Sequence, residues 1–146
     1  MSTDLATATN HQIRLAARPV GLPKDSDWSF TEEPVSLPAD GGVLVRSTHL
    51  SLDPAMRGWM NEGKSIGEVM RAGGVGVVVA SKNPAFAVGD QVSATLGVQE
   101  YCLIAAAQIQ RSGLVRIDTR LGSQTQWLNV LGMPGMTGYF GLMEVG

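Results

Sequence analysis

The side chains able to do chemistry are few and scattered: one thiol at Cys102, imidazoles at His11 and His49, the charged pair Asp53 and Arg57 inside "DPAMR", and a hydroxyl at Thr137 inside "MPGMTGYF". A zinc site needs three or four Cys, His or carboxylate ligands converging in space, and no Cys-x-x-Cys or paired histidine supplies them, so no metal is expected. Hydrolysis of the Ser-His-Asp or Cys-His type is not expected. Cys102 alternates with Val98, Glu100 and Ile104, which makes it a buried filler of a strand. His11 sits in a polar N-terminal stretch and His49 in a strand, where structural or solvated roles are expected. Thr137, in the first turn of a helix, can satisfy the backbone or donate to a ligand. Asp53, Met56 and Arg57 read, on residue types alone, as a capped, solvated short helix with Met56 turned inward.

Glycines are the other candidates. "GGVGVVV" contains Gly74-x-Gly76 but lacks a third glycine, and it opens a strand where a dinucleotide fingerprint would follow one. Its expected role is to let a neighbouring backbone come close.

The elements that must position these groups are mostly strands. Eighteen glycines and seven prolines cut the chain into short apolar pieces, the punctuation of a β-rich domain with many turns. Strands are expected over "QIRLAAR" (12–18), "GVLVRSTHLSL" (42–52), "GVGVVVASK" (74–82), "DQVSATL" (90–96) and "VQEYCLIAA" (98–106). The third is continuously apolar and should be buried on both faces. Pro54 suits the first turn of a short helix, and a second helix is expected over 124–131. After Pro134-Gly135, the spacing of Met136, Tyr139, Phe140 and Met143 predicts an amphipathic helix. The fold expected from these pieces is a closed or partly closed β-barrel with two helices appended.

Composition narrows the function. Eleven basic and thirteen acidic residues give a net charge of -2 with no run of either sign, which disfavours nucleic acid and anionic membrane as partners. One cysteine rules out an internal disulfide and fits a reducing compartment. The start, "MSTDLATATNHQ", has neither the basic nor the apolar region of a leader, and no apolar run is long enough to span a bilayer, so a cytoplasmic protein is expected.

Four stretches in one order, "LSLDPAMRGWM", "IGEVMRAGGVGVVVASKNPAFAVGDQV", "GVQEY" and "LGMPGMTGYFGL", resemble the zinc-independent medium-chain dehydrogenase/reductases. Within them the resemblance is to the NADPH-dependent alkenal and prostaglandin reductase group. It implies a mainly β, GroES-like, partly open barrel over 1–130. It also implies that 131–146 begins a helix linking to a Rossmann domain beyond this chain. By the same resemblance Met133 and Thr137 face the nicotinamide end of NADPH, whose other contacts belong to that further domain. Asp53, Ala55, Met56 and Arg57 line the substrate side. The activity implied is reduction of the carbon-carbon double bond of an α,β-unsaturated ketone or aldehyde; no residue is assigned as proton donor. A full-length homodimer and a monomeric isolated domain are the expected states. The alternative from the residues alone is a free-standing, non-catalytic module that binds a ligand or partner.

The sequence also departs from that group. Ala55 stands where a tyrosine is usual, Val98 where a tryptophan is usual, and "NEGKSIGEVM" is shorter than the usual loop. All three fall near the expected substrate side.

Overall fold

The computed structural model describes residues 5–61 and 66–146, so the shortened loop at 62–65 lies outside the described residues. Strands β1 (Thr9–Leu15) and β2 (Trp28–Pro34) pair antiparallel, with Leu15 opposite Trp28 and Thr9 opposite Pro34. A second sheet takes β3 (Val43–Leu50), β4 (Gly73–Ser81), β5 (Gln91–Thr95), β6 (Tyr101–Ile104) and β7 (Val115–Arg116) in the antiparallel order β6-β3-β4-β5-β7. Backbone bonds lace the two together: Ile13 N–H donates to Val98 O at 2.9 Å, Met70 N–H to Ile13 O at 2.8 Å, and Glu100 N–H to His11 O at 3.1 Å. The result is the expected mainly β, partly open barrel with short helices.

Two apolar clusters hold it. Val43, Val45, Val78, Val92, Leu96 and Ile104 pack between the strands of the larger sheet, whereas Leu15, Met56, Met60, Met70 and Ala72 pack beneath the helix α1 (Ala55–Asn61). Leu50 touches both. A polar network pins β1 across the seam: Asn10 exchanges two bonds of 2.9 Å with the Tyr101 backbone, and Gln99 Oε1 accepts from Asn10 and Gln12 at 3.2 Å. Buried amides of this kind must find partners, and the match fixes the strand's register.

Gly76 has the role expected of it. A Cβ there would lie 2.3 Å from Arg46 O and 2.7 Å from Val45 Cγ1, so β3 and β4 could not approach as they do with any other residue.

Several expectations need correction. The first strand starts earlier and ends sooner than 12–18, because Leu15 closes the pairing with Trp28. Trp28–Pro34, read as no element, is a strand, and Val115–Arg116 is a short edge strand. In β4 the full burial covers Gly74–Gly76 and Val78, and the flanks are half-buried. Cys102 and Ile104 share the larger cluster, but Glu100 is exposed and Val98 packs against the other cluster. Gln99 N–H turns back to Gly97 O at 3.0 Å, which resets the alternation before β6 begins.

The C-terminal part differs most. Only Gln124–Trp127 forms a helix (α3) in the stretch expected to run to 131, started by Ser123, whose hydroxyl accepts from Gln126 N–H. Helix α4 (Met133–Phe140) contains Pro134-Gly135 rather than following it, since a proline lacking its N–H is tolerated in the first turn. Thr137 therefore lies in the second turn, not the first. A π-helical turn, Gly141–Val145, continues it. Met136, Tyr139, Phe140 and Met143 are exposed, and so are Met133, Leu142 and Val145, so the apolar surface runs round the helix instead of forming one stripe. Here α2 denotes the short turn Ile109–Ser112.

Candidate functional site

The segment after β3 is shaped by its own hydrogen bonds. Ser51 N–H bonds to Gly73 O at 2.9 Å, Ser51 Oγ donates to Asp53 Oδ1 at 3.0 Å, and Met56 N–H bonds to Asp53 O at 3.0 Å to start α1. With the helix so placed, Met56 and Met60 go inward and Arg57 goes sideways. The Arg57 guanidinium donates to Gly21 O at 2.9 Å and Pro19 O at 3.5 Å and is braced by Asn61 Oδ1. It thereby holds the 19–23 loop against α1.

Between that loop, α1 and the hairpin lies an apolar cavity of about 590 Å³, walled by Trp28, Phe30, Leu52, Met56, Met70 and Val98. Asp53 and Arg57 supply its charged rim. This volume is in the range that holds a drug-sized molecule. A neighbouring cavity of about 450 Å³ shares Ile13, Phe30 and Val98 with it and adds His11, Ser47, His49 and Glu100. Of the residues expected to form the site, Asp53, Met56 and Arg57 come together here. Ala55 is on the exposed side of α1 and is not in the cavity wall. Met133 and Thr137 lie on α4, exposed, outside both cavities; the Thr137 hydroxyl has no hydrogen-bond partner among the described residues.

A bulge connects these regions. The pairing of β3 with β4 slips between Ser47 and His49, and the Thr48 hydroxyl has two acceptors within reach for its one proton, Gln124 Oε1 at 2.7 Å and Val75 O at 3.0 Å. The bulge thus tethers α3, and through it the chain leading to α4, beside the second cavity.

Electrostatics concentrate at His11. Its Nδ1 lies 2.6 Å from Glu100 Oε2 and its Nε2 3.6 Å from Glu32 Oε1. The hydrogen bond to Glu100 raises the imidazole above its ordinary 6.5 and holds the Glu100 carboxyl below 4.5. Sequence reasoning gave this pair no role in the site, and no local spacing could have, since 89 residues separate the two. Burial pushes the Cys102 thiol up to about 11, so it stays protonated and is an inert filler, as expected. Among the described residues no group of His, Cys, Asp and Glu could hold a metal ion. No helix among them is long and apolar enough to cross a membrane.

The chain belongs to the family described as the N-terminal domain of oxidoreductase, which matches residues 11–112. It is 38% identical over 143 residues to the NADPH-dependent curcumin reductase of Escherichia coli (strain K12), covering 94% of this chain and 40% of that protein. It is 33% identical over 147 residues to a 2-alkenal reductase (NADP(+)-dependent) of Nicotiana tabacum, covering 94% of this chain and 42% of that protein. Its fold superimposes on the crystal structure of CurA from Vibrio vulnificus with a TM-score of 0.79 and 40% identity, over 92% of this chain and 40% of that one. CurA has also been solved in complex with NADPH, and that structure matches with a TM-score of 0.78. The chain thus spans about two fifths of the length of these relatives.

Proposed function

We propose that this chain is the substrate-side domain, over 1–130, of an NADPH-dependent reductase acting on the carbon-carbon double bond of α,β-unsaturated ketones and aldehydes. On this reading 131–146 begins the link to the nucleotide-binding domain, and the protein works in a reducing, cytoplasmic setting. The observation that carries it is the apolar cavity built around Asp53–Arg57 in a chain whose relatives are named NADP-dependent reductases.

The residues present suit one end of the cofactor. Gly74 and Gly76 are consumed in packing β4 against β3, so they cannot cradle phosphates. The exposed side chains of Met133 and Thr137 are free to meet the nicotinamide end. When bound, the cofactor supplies a hydride. This chain's residues do the rest of the work on their side. Trp28, Phe30 and Met56 exclude water and enclose the carbon skeleton, and Arg57 keeps the wall in place by clamping the 19–23 loop. Thr137 orients the ring that reacts, through a hydroxyl left unspent by its own helix.

The test is NADPH oxidation by the intact gene product with an enone, and analysis of the product. A saturated ketone is expected; an allylic alcohol with its double bond intact would overturn the reading. Thr137→Val, which keeps the shape and deletes the hydroxyl, should lower turnover by roughly tenfold with every enone. Unchanged turnover would make the hydroxyl a bystander.

A further inference from the structure

A third cavity, of about 610 Å³, shares no wall residue with the two of the candidate site. It is bounded by Glu68 and Arg71 ahead of β4, by Thr95 at the end of β5, by β6 and by the α2 turn with Arg111. Several arginines of this chain are matched elsewhere: Arg14 to Glu33 at 2.6 Å, Arg116 to Asp90 at 3.8 Å, Arg120 to Asp118 at 2.6 Å, and Arg57 to backbone carbonyls. Arg71 and Arg111 come to one cavity, and neither guanidinium makes an ion pair or a hydrogen bond among the described residues. Arg71 is held all the same, with its guanidinium carbon 4.5 Å from the centroid of the Trp59 ring. Stacking of this kind covers a face of the planar group and leaves its N–H edge able to donate. Trp59 in turn packs against the cluster beneath α1.

We propose that this cavity binds a phosphate dianion, free or carried as a monoester on a small organic body, with Arg71 and Arg111 as the charged donors and Thr95 and Gln108 as neutral ones. The inference is independent of the reductase reading. Charge points to an anion: two arginines against Glu68 alone give the lining +1 in a chain whose net charge is -2. Geometry selects phosphate over carboxylate. Each guanidinium is a fork that takes a pair of oxygens, and a carboxylate has one pair to give, whereas a phosphate has oxygens for both forks. The neutral donors are unspent as well. Gln108 Oε1 accepts from the Ala105 N–H at 3.4 Å, which leaves its NH2 to donate, and the Thr95 hydroxyl has no partner among the described residues. Ser112 is not a donor here, since its hydroxyl already bonds Ile109 O at 2.8 Å. Glu68 pairs with neither arginine and repels further negative charge, which favours a single phosphate over a polyphosphate.

Titration of the chain, followed through the NMR signals of its arginine Nε–H groups, tests this with inorganic phosphate, phenyl phosphate and acetate at matched ionic strength and about pH 7.5, where the phosphates are mostly dianions. Both phosphates should shift Arg71 and Arg111 saturably, with a Kd of about 1 mM or tighter, and acetate should bind at least about tenfold more weakly. Arg71→Gln and Arg111→Gln, both at exposed positions, should each weaken phosphate by about fivefold or more, while Arg120→Gln, outside the cavity, should leave it unchanged. Tighter binding of phenyl phosphate than of inorganic phosphate would identify an ester as the ligand and equal binding the free anion; either result supports the site. Acetate as good as phosphate, or Arg120→Gln as damaging as the other two, would reduce the effect to general screening of exposed charge and overturn it. So would a loss at only one of the two arginines, or no saturation by about 20 mM phosphate.

Discussion

Two apolar regions of this molecule have opposite fates. In the barrel Val43, Val45, Val75, Val78 and Leu44 are buried essentially to completion. On α4 and the turn after it, Met133, Tyr139, Leu142 and Val145 are each more than half exposed. The composition is similar, so what separates the two is partners. Each barrel side chain faces one across a sheet or a cluster, and the helix makes its few contacts with its own neighbours in sequence. A helix that is apolar all round is the kind found enclosed within a larger core. The barrel is therefore stable through its own packing, and α4 carries surface whose value depends on what it meets.

The largest effect expected follows from the tightest place in the barrel. Gly76→Val puts methyl groups where Arg46 O already stands 2.3 Å from a Cβ, and the obstacle is backbone that cannot swing away. A loss of about 4 kcal/mol or more is expected, in the exceptional range for a point substitution, read as a collapsed urea midpoint. A midpoint within 1 kcal/mol of the original would show that β3 and β4 can slide apart cheaply.

Next comes the direct contrast. Leu44→Ala empties a site with 1% exposure and should cost about 3 kcal/mol, while Leu142→Ala, at 73% exposure, should stay within about 0.5 kcal/mol in the same chain. Equal losses at the two positions would mean that α4 packs on the barrel in solution.

The smallest effect is electrostatic, and it too belongs to the barrel side. From Leu131 onward the only charged side chain is Glu144. His11, raised above 6.5, stabilises the fold fully below that value and loses its contribution as the pH rises through its folded pKa. Glu100, lowered below 4.5, contributes fully above that value and loses it as the pH falls. The pair therefore helps most between the two, and His11→Gln should narrow the thermal midpoint gap from the original at both lower and higher pH. A gap that does not vary with pH would remove the pair from the account.

Much of this was legible in the residues, and the misses have physical causes. Alternation found β3, the turn residues ahead of β5 and β6 found those two, and the motif "DPAMR" marked the segment that builds the apolar cavity. β2 escaped because it pairs with β1 alone, leaving Phe30 exposed and ending in Glu32, Glu33 and Pro34, a composition that resembles a loop. Helix α4 starts before Pro134-Gly135 rather than after it, because a proline that reads as a boundary also fits a helix's first turn. The His11–Glu100 pair could not be seen at all, since a two-sheet closure brings it together and spacing along the chain does not.

That same closure orders events in time. β1 is made early, yet the residues that anchor it, Gln99 to Tyr101, follow 87 to 91 residues later. At synthesis rates of about 5–20 residues per second, the strand waits on the order of ten seconds for its partners. The non-local contacts that dock it also carry the highest loop-closure cost. Both cavities of the candidate site take a wall from β1 and β2, so neither is complete until the chain has been made as far as the residues that anchor β1, with only β7 of the strands still to come.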